Sequence, residues 1–212
     1  MTDLLPFLPG FAAAYAILLV AASSPGPAVA MLMGIGLGQG RASALTAAAG
    51  IATGSVVLNL GTMLGLGLIL SQAAWAMTGI RLLGAAYLAW LAYGAFRKAA
   101  APGAPPAAAQ VARASAWTHF AAGVALQVTN PKAIVFWIAI NAVAATQGGG
   151  ALVITLFVAG AWVISFGCHG AWALLLSSTP FRTAYGAARR WIEASLGTLF
   201  AFFAFRLATE RG

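Results

Sequence analysis

The sequence predicts an all-α integral membrane protein of six transmembrane helices, arranged as two inverted three-helix repeats in which the first and fourth helices are broken. Three observations carry that expectation: an apolar composition, a proline-containing break inside a hydrophobic run in each half, and basic residues gathered in alternate loops. Of 212 residues, 62% are hydrophobic and 7% charged, against roughly 25% charged in a soluble domain. The mean hydropathy is +0.92. A bilayer core takes about 20 apolar residues of helix, and six stretches supply them.

The first stretch runs from about Phe11 to Gly38 and is interrupted at Ser24, Pro25, Gly26 and Pro27. Proline has no N–H and clashes with the carbonyl four residues back, so no unbroken helix passes this point. Phe11–Ala22 has the length of a signal-peptide core, but Asp3 precedes it, no Lys or Arg does, and hydrophobicity resumes after Pro27. It reads as a retained helix. The second stretch, about Ala42 to Leu70, carries Gly50 and Gly54 at the spacing that lets helix backbones approach closely. The third runs from about Gly79 to Phe96. A Pro- and Ala-rich linker follows, and the fourth, about Trp117 to Thr146, contains Asn130, Pro131 and Lys132. Gly148, Gly149 and Gly150 predict a tight turn. The fifth stretch runs from about Ala151 to Leu176, with Pro180 marking its end, and the sixth from about Trp191 to Ala208.

Six spans place Arg41, Arg97, Lys98, Arg113, Arg182, Arg189 and Arg190 on one side, and Arg81, Arg206 and Arg211 on the other. By the positive-inside rule the loops holding Arg41, Arg97 and Arg189 face the cytoplasm and both termini face out. Were the first run not a full span, the count would be five and the N-terminus would lie inside. Pro25 and Pro131 stand 106 positions apart, half the chain, and Gly84, Tyr87, Trp90 share a spacing with Gly197, Phe200, Phe203. Paired Gly/Pro-interrupted segments at corresponding positions of two halves point to an inverted-repeat transporter with a midplane site. The expected organisation is one membrane domain over 1–212: repeat 1 at about 1–97, a cytoplasmic linker at about 98–116 and repeat 2 at about 117–212.

The breaks are the candidate site. The segments after Pro27 and after Asn130 restart helices whose first N–H groups lack intrahelical partners, with proline suited to the first helical position and Asn130 placed as an N-cap. Two such N-termini favour an anion, and a carboxylate fits. Lys132 adds the charge. Asp3, Glu193 and Glu210 read as lying near helix ends, so the substrate's carboxylate is the expected counter-ion of Lys132; the alternative is that Lys132 snorkels or bonds carbonyls freed at the break. The candidate binding residues are therefore Pro25, Gly26, Pro27, Asn130, Pro131 and Lys132, with Asn59 and Asn141 as intramembrane amides that bond either substrate or a neighbouring helix. Gln127 and Thr129 have the same two readings. His169 titrates near neutrality when unperturbed and is a candidate for proton coupling; His119, near a span end, reads as interfacial.

Other classes are disfavoured. One cysteine, Cys168, and two separated histidines give no dithiol, nucleophile or metal constellation, so no enzyme, cofactor or metal site is expected. A metal-ion exporter lacks its Asp, Glu, His or Cys cluster. The net charge of +8 is scattered over loops rather than massed on one face, which excludes nucleic acid. A structural membrane subunit would not require a break in both halves. The oligomeric state is open, a homo-oligomer included.

Pro25, Gly26 and Pro27 with the glycine-rich run through Gly40 and Arg41, then Gly50 and Gly54, then Gly84, Tyr87 and Leu88, and finally Asn130, Pro131 and Lys132, resemble the LysE/RhtB amino-acid exporters over nearly the whole chain. The resemblance implies a small carrier of the bacterial inner membrane that expels amino acids or related metabolites, driven by the proton motive force. Many members have Asn or Asp after the first break where this chain has Ala28. That departure leaves basic, neutral or other solutes open, and the lack of an intramembrane acid argues against a dibasic one.

Overall fold

A computed structural model describes residues 4–72, 74–100, 114–144, 146 and 148–209. Among these residues all regular structure is helical: α1 (Leu8–Ser23), α2 (Pro27–Gln39), α3 (Arg41–Gln72), α4 (Ala74–Ala100), α5 (Ala116–Thr129), α6 (Pro131–Ala144), α7 (Ala151–Leu176) and α8 (Thr179–Thr209). Leu5–Ser23, Arg41–Gly65 and Ala151–Leu176 are each long and apolar enough to cross a bilayer, and Ala116–Thr129 with Pro131–Ala144 passes the same measure as a pair bent by 67°, the geometry of a broken span or of a re-entrant loop.

Both breaks fall where proline requires them, but the first is not central to its span. Pro6 and Pro9 occupy first-turn positions, where a missing N–H costs nothing, so helix begins at Leu5 in a short 3₁₀ turn and runs into α1. Leu5–Ser23 is thereby 19 residues long, about 28 Å of helix, and Pro27–Gln39 is a separate shorter apolar helix. The same physics corrects the expected sixth helix. Pro180 does not merely follow α7; it lies in the first turn of α8, which starts at Thr179 rather than near Trp191. Glu193, expected near a helix end, therefore sits in the middle of α8, and it is buried. Most of the expected linker, 101–113, lies outside the described residues, as do Asp3, Glu210, Arg113 and Arg211; positions 98–100 belong to α4.

The chain divides into two compact units, one of residues 1–67 and 107–178, the other of 68–106 and 179–212. In the second, α4 and α8 pack on each other. Ala85, Leu88, Ala92, Ala95 and Ala99 form the buried stripe of α4, a seam at the spacing of facing helices. On α8, Gly197 makes room for a ring: a Cβ there would lie 2.8 Å from Phe96.

The first unit holds α1, α2, most of α3, and α5–α7. Its core joins Ala28, Leu32 and Ile35 of α2 to Ala44, Ala47, Ala48 and Ile51 of α3 and Ala173 of α7. Glycine sets the α3–α5 contact. A Cβ on Gly50 would collide with the Phe120 carbonyl, one on Gly54 would lie 2.8 Å from Gln127 Cβ, and one on Gly123 would collide with the Ala47 carbonyl. The small-residue spacing on α3 thus meets a small residue on its partner. Elsewhere Tyr15 of α1 lies over Gly160 of α7 and donates its hydroxyl to the Phe157 and Leu156 carbonyls at 3.1 and 3.3 Å. Gly40, at φ +87°, turns α2 into α3, and Gly148, at φ +79°, opens the turn before α7; both are left-handed positions that glycine occupies without strain.

Gly50→Ala is expected to destabilise the protein by about 1–3 kcal/mol, because the colliding atom is helix backbone that cannot swing away. Gly61→Ala meets nothing within 4 Å and should be neutral or slightly stabilising. Thermal unfolding of both variants in detergent checks the contrast.

Candidate functional site

The site is assembled from what the prolines leave undone. In an unbroken α1, the N–H of residue 25 would bond the Ala21 carbonyl and that of residue 28 the Ser24 carbonyl. Position 25 is proline, and the hydroxyl of Ser24 bonds the Ala21 carbonyl instead, at 2.9 Å. At Ser24 the chain turns extended, with ψ 131°, and its own carbonyl is released. Lys132 of α6 takes it: Nζ donates to the Ser24 carbonyl at 3.2 Å and also to the Ser24 hydroxyl. The second break reaches across and closes the first.

Lys132 is aimed there by Asn130. With φ −78° and ψ 111°, Asn130 stands outside both helices, and its Oδ1 accepts from the Lys132 backbone N–H at 3.1 Å. That is an N-cap at the start of α6, and it fixes the first turn that carries Lys132. Gly26 is extended at φ −170°, a conformation open to any residue, and a Cβ there would be 3.7 Å from Lys132 Nζ, an ordinary contact. Its small size leaves the ammonium accessible rather than satisfying the backbone.

Beside the bond lies a cavity of about 40 Å³, room for a few waters. Ser24, Gly26, Pro27, Asn130, Lys132 and His169 line it, as do Ala28 and the apolar wall of Phe136, Trp137 and Ile140. Pro25 and Pro131 shape the breaks without lining it. Asn59 and Asn141 do not line it either: Asn141 Nδ2 donates to the Asn59 carbonyl at 3.1 Å and to Thr62 Oγ1 at 2.6 Å in a separate cluster. His119, near the start of α5, is buried, and its Nε2 lies 2.8 Å from Gln39 Oε1 at the far end of α2.

Behind Lys132 runs a buried polar chain. Gln127 Nε2 donates to Ser55 Oγ at 2.9 Å, Ser55 Oγ lies 3.2 Å from Ser165 Oγ, and His169 Nδ1 lies 2.8 Å from the Ser165 carbonyl. A carbonyl only accepts, so Nδ1 carries the hydrogen and neutral His169 keeps its lone pair on Nε2. Ser55 and Ser165 were not singled out from the sequence. Ser165 carried one signal, its position one turn before His169 on the same helix face; Ser55 carried none beyond its place one turn before Asn59.

The cavity is therefore electropositive. It holds one ammonium and the starts of α2 and α6, and no carboxylate among its described lining residues. Among the described residues no group of three His, Cys, Asp or Glu side chains can hold a metal ion. An apolar chain whose helices break around a small cavity with a few polar groups has the build of a membrane carrier.

The chain belongs to the LysE type translocator family, which matches it over residues 19–211. It is a multi-pass membrane transporter, not an enzyme. It is 28% identical over 211 residues to the threonine efflux protein of Escherichia coli strain K12, covering 95% of this chain and 98% of that one. The threonine efflux protein of Salmonella typhimurium is 29% identical over 212 residues, with the same coverage. An uncharacterized membrane protein of Pseudomonas aeruginosa is 38% identical over 96 residues, 43% of this chain and 44% of that one. No solved structure matches.

Asn130→Ala removes the cap and should lower stability by about 1 kcal/mol, whereas Asn130→Asp, which keeps the acceptor, should lose much less. Chemical denaturation in detergent distinguishes them.

Proposed function

We propose that this protein is a secondary active exporter of zwitterionic amino acids across the bacterial inner membrane, coupled to the proton motive force, with threonine the first solute to test. The observation that carries the reading is the bond from Lys132 to Ser24 across the two breaks. A substrate carboxylate is a stronger acceptor for an ammonium than a carbonyl or a hydroxyl. It would displace Ser24 from Lys132 and take up donors at the starts of α2 and α6. Losing the Lys132 bond would free the first break to move. Binding would thereby be converted into a conformational change, because the ligand competes with an interaction that holds the closed form.

On this reading the chain makes six crossings as two inverted repeats, with α4 and α8 as the third and sixth, and alternating access rocks one half against the other around the breaks. Both termini face out, and the loops bearing Arg41, Arg97 and Arg189 face the cytoplasm. Pro25, Pro27 and Pro131 are hinges, Gly26 gives access, Asn130 orients Lys132, and Lys132 binds the carboxylate. His169 takes up a proton at Nε2. The names of the threonine efflux relatives support an amino-acid substrate. Ala28, small and apolar on the cavity wall, supports a neutral zwitterion over a dibasic one.

Lys132→Met, which keeps the length of the side chain, is expected to slow threonine export from preloaded cells by about 10- to 100-fold, the worth of a charge-assisted bond. Lys132→Arg should retain a measurable part. Export at the wild-type rate by a folded Lys132→Met protein would remove the assigned carboxylate site. For His169→Gln, transport driven by an imposed pH gradient should fall about tenfold further than gradient-free exchange does. Equal losses in the two assays would assign His169 to binding alone.

A further inference from the structure

Asn141 meets α3 outside the cavity, and the meeting leaves three buried amide atoms without partners. Its Nδ2 is used on the Asn59 carbonyl and Thr62, but Asn141 Oδ1, Asn59 Oδ1 and Asn59 Nδ2 have none. Asn59 is 0% exposed and Asn141 8%. A buried polar group with no partner bears the full cost of its desolvation, and leucine would fill the same space at no such cost. Amides held there in spite of that cost point to a ligand that comes and goes.

Position and chemistry define the ligand. Ser55 and Ile140 line the cavity; Asn59 is one turn beyond Ser55 on α3, about 6 Å along the axis, and Asn141 directly follows Ile140. The cluster adjoins the cavity on the side away from the breaks. Its unused atoms are two acceptors and one two-hydrogen donor, with no net charge. A cation alone would leave Asn59 Nδ2 unpaired, and an anion alone would leave both Oδ1 atoms unpaired. The head of an α-amino acid suits all three, with its ammonium between the two Oδ1 atoms and its carboxylate on Nδ2.

We propose that Asn59 and Asn141 form a second binding station for a zwitterionic amino acid, occupied after the solute leaves Lys132 and α3 separates from α6. The proposal rests on the exporter reading. Neutral amides suit a transit point, since they pair with both ends of the head and hold neither as tightly as a charge would.

The test uses the full chain with Asn59→Leu and Asn141→Leu combined. Threonine binding is measured in detergent, and threonine counterflow in proteoliposomes. The expected result is an unchanged or raised melting temperature, binding within about threefold of wild type and counterflow slowed about tenfold or more. Wild-type counterflow in the folded variant would make the pair a helix contact only and overturn the proposal. Should the leucine pair fail to fold, Asn59→Cys in a Cys168→Ser background gives a second measurement. Threonine should slow its maleimide labelling about fivefold or more, by occupying the opened cluster, and labelling indifferent to threonine would overturn the proposal. Wild-type protein that exchanges no amino acid overturns the exporter reading and this proposal together, whereas wild-type exchange with an unaffected variant overturns this proposal alone.

Discussion

A helix that ends away from water must dispose of its last carbonyls, and in this protein that requirement shapes the candidate site. A carbonyl that loses its helical partner away from water needs another donor from the protein, and the break at Pro25 to Pro27 leaves several. Ser24 serves the Ala21 carbonyl with its own hydroxyl, and Lys132 serves Ser24. An ammonium in such surroundings is costly unless it is bonded. The two liabilities, a freed carbonyl and a charge in an apolar chain, meet in one bond.

The remaining packing keeps that bond in register. The backbones of α3 and α5 touch through Gly50, Gly54 and Gly123, which places Ser55 within reach of Gln127. The 67° bend between α5 and α6 turns Lys132 toward α1 instead of letting it continue along the α5 axis. In this arrangement charge is confined to one of the cavity's described side chains, and its other polar side chains are hydroxyls, two amides and an imidazole set against an apolar wall.

What the sequence disclosed follows from how local each signal is. Proline inside an apolar run is decisive wherever it occurs, so both breaks, the capping role of Asn130 and the singular position of Lys132 were readable without a fold. Gly50 and Gly54 announced a close helix contact but not that Gly123 would be opposite. Proline is ambiguous at a helix start, and so the beginnings at Leu5 and Thr179 were missed, and with the second of them the mid-helix burial of Glu193. Ser55, Ser165 and the separation of Asn59 and Asn141 from the cavity depend on which helix faces which, information that a hydrophobic pattern apolar on every side does not contain.

The contact of Tyr15 with Gly160 bears on how such a bundle can deform. A hydroxyl shared between two carbonyls over a glycine clamps α1 to α7 at main-chain distance, as the glycine contacts clamp α3 to α5. Besides the apolar core that links α3 to α7 through α2, the two pairs meet around the cavity through contacts different in kind: Ser55 to Ser165, and α6 bridging both through Lys132 to Ser24 and Asn141 to Asn59. Interlocked backbone cannot be exchanged for anything, whereas a hydroxyl or amide bond can be traded for water or solute at little net cost. Around the cavity, then, the exchangeable contacts are the polar ones and the fixed ones are the glycine joints, with the apolar core still holding α3 to α7 through α2.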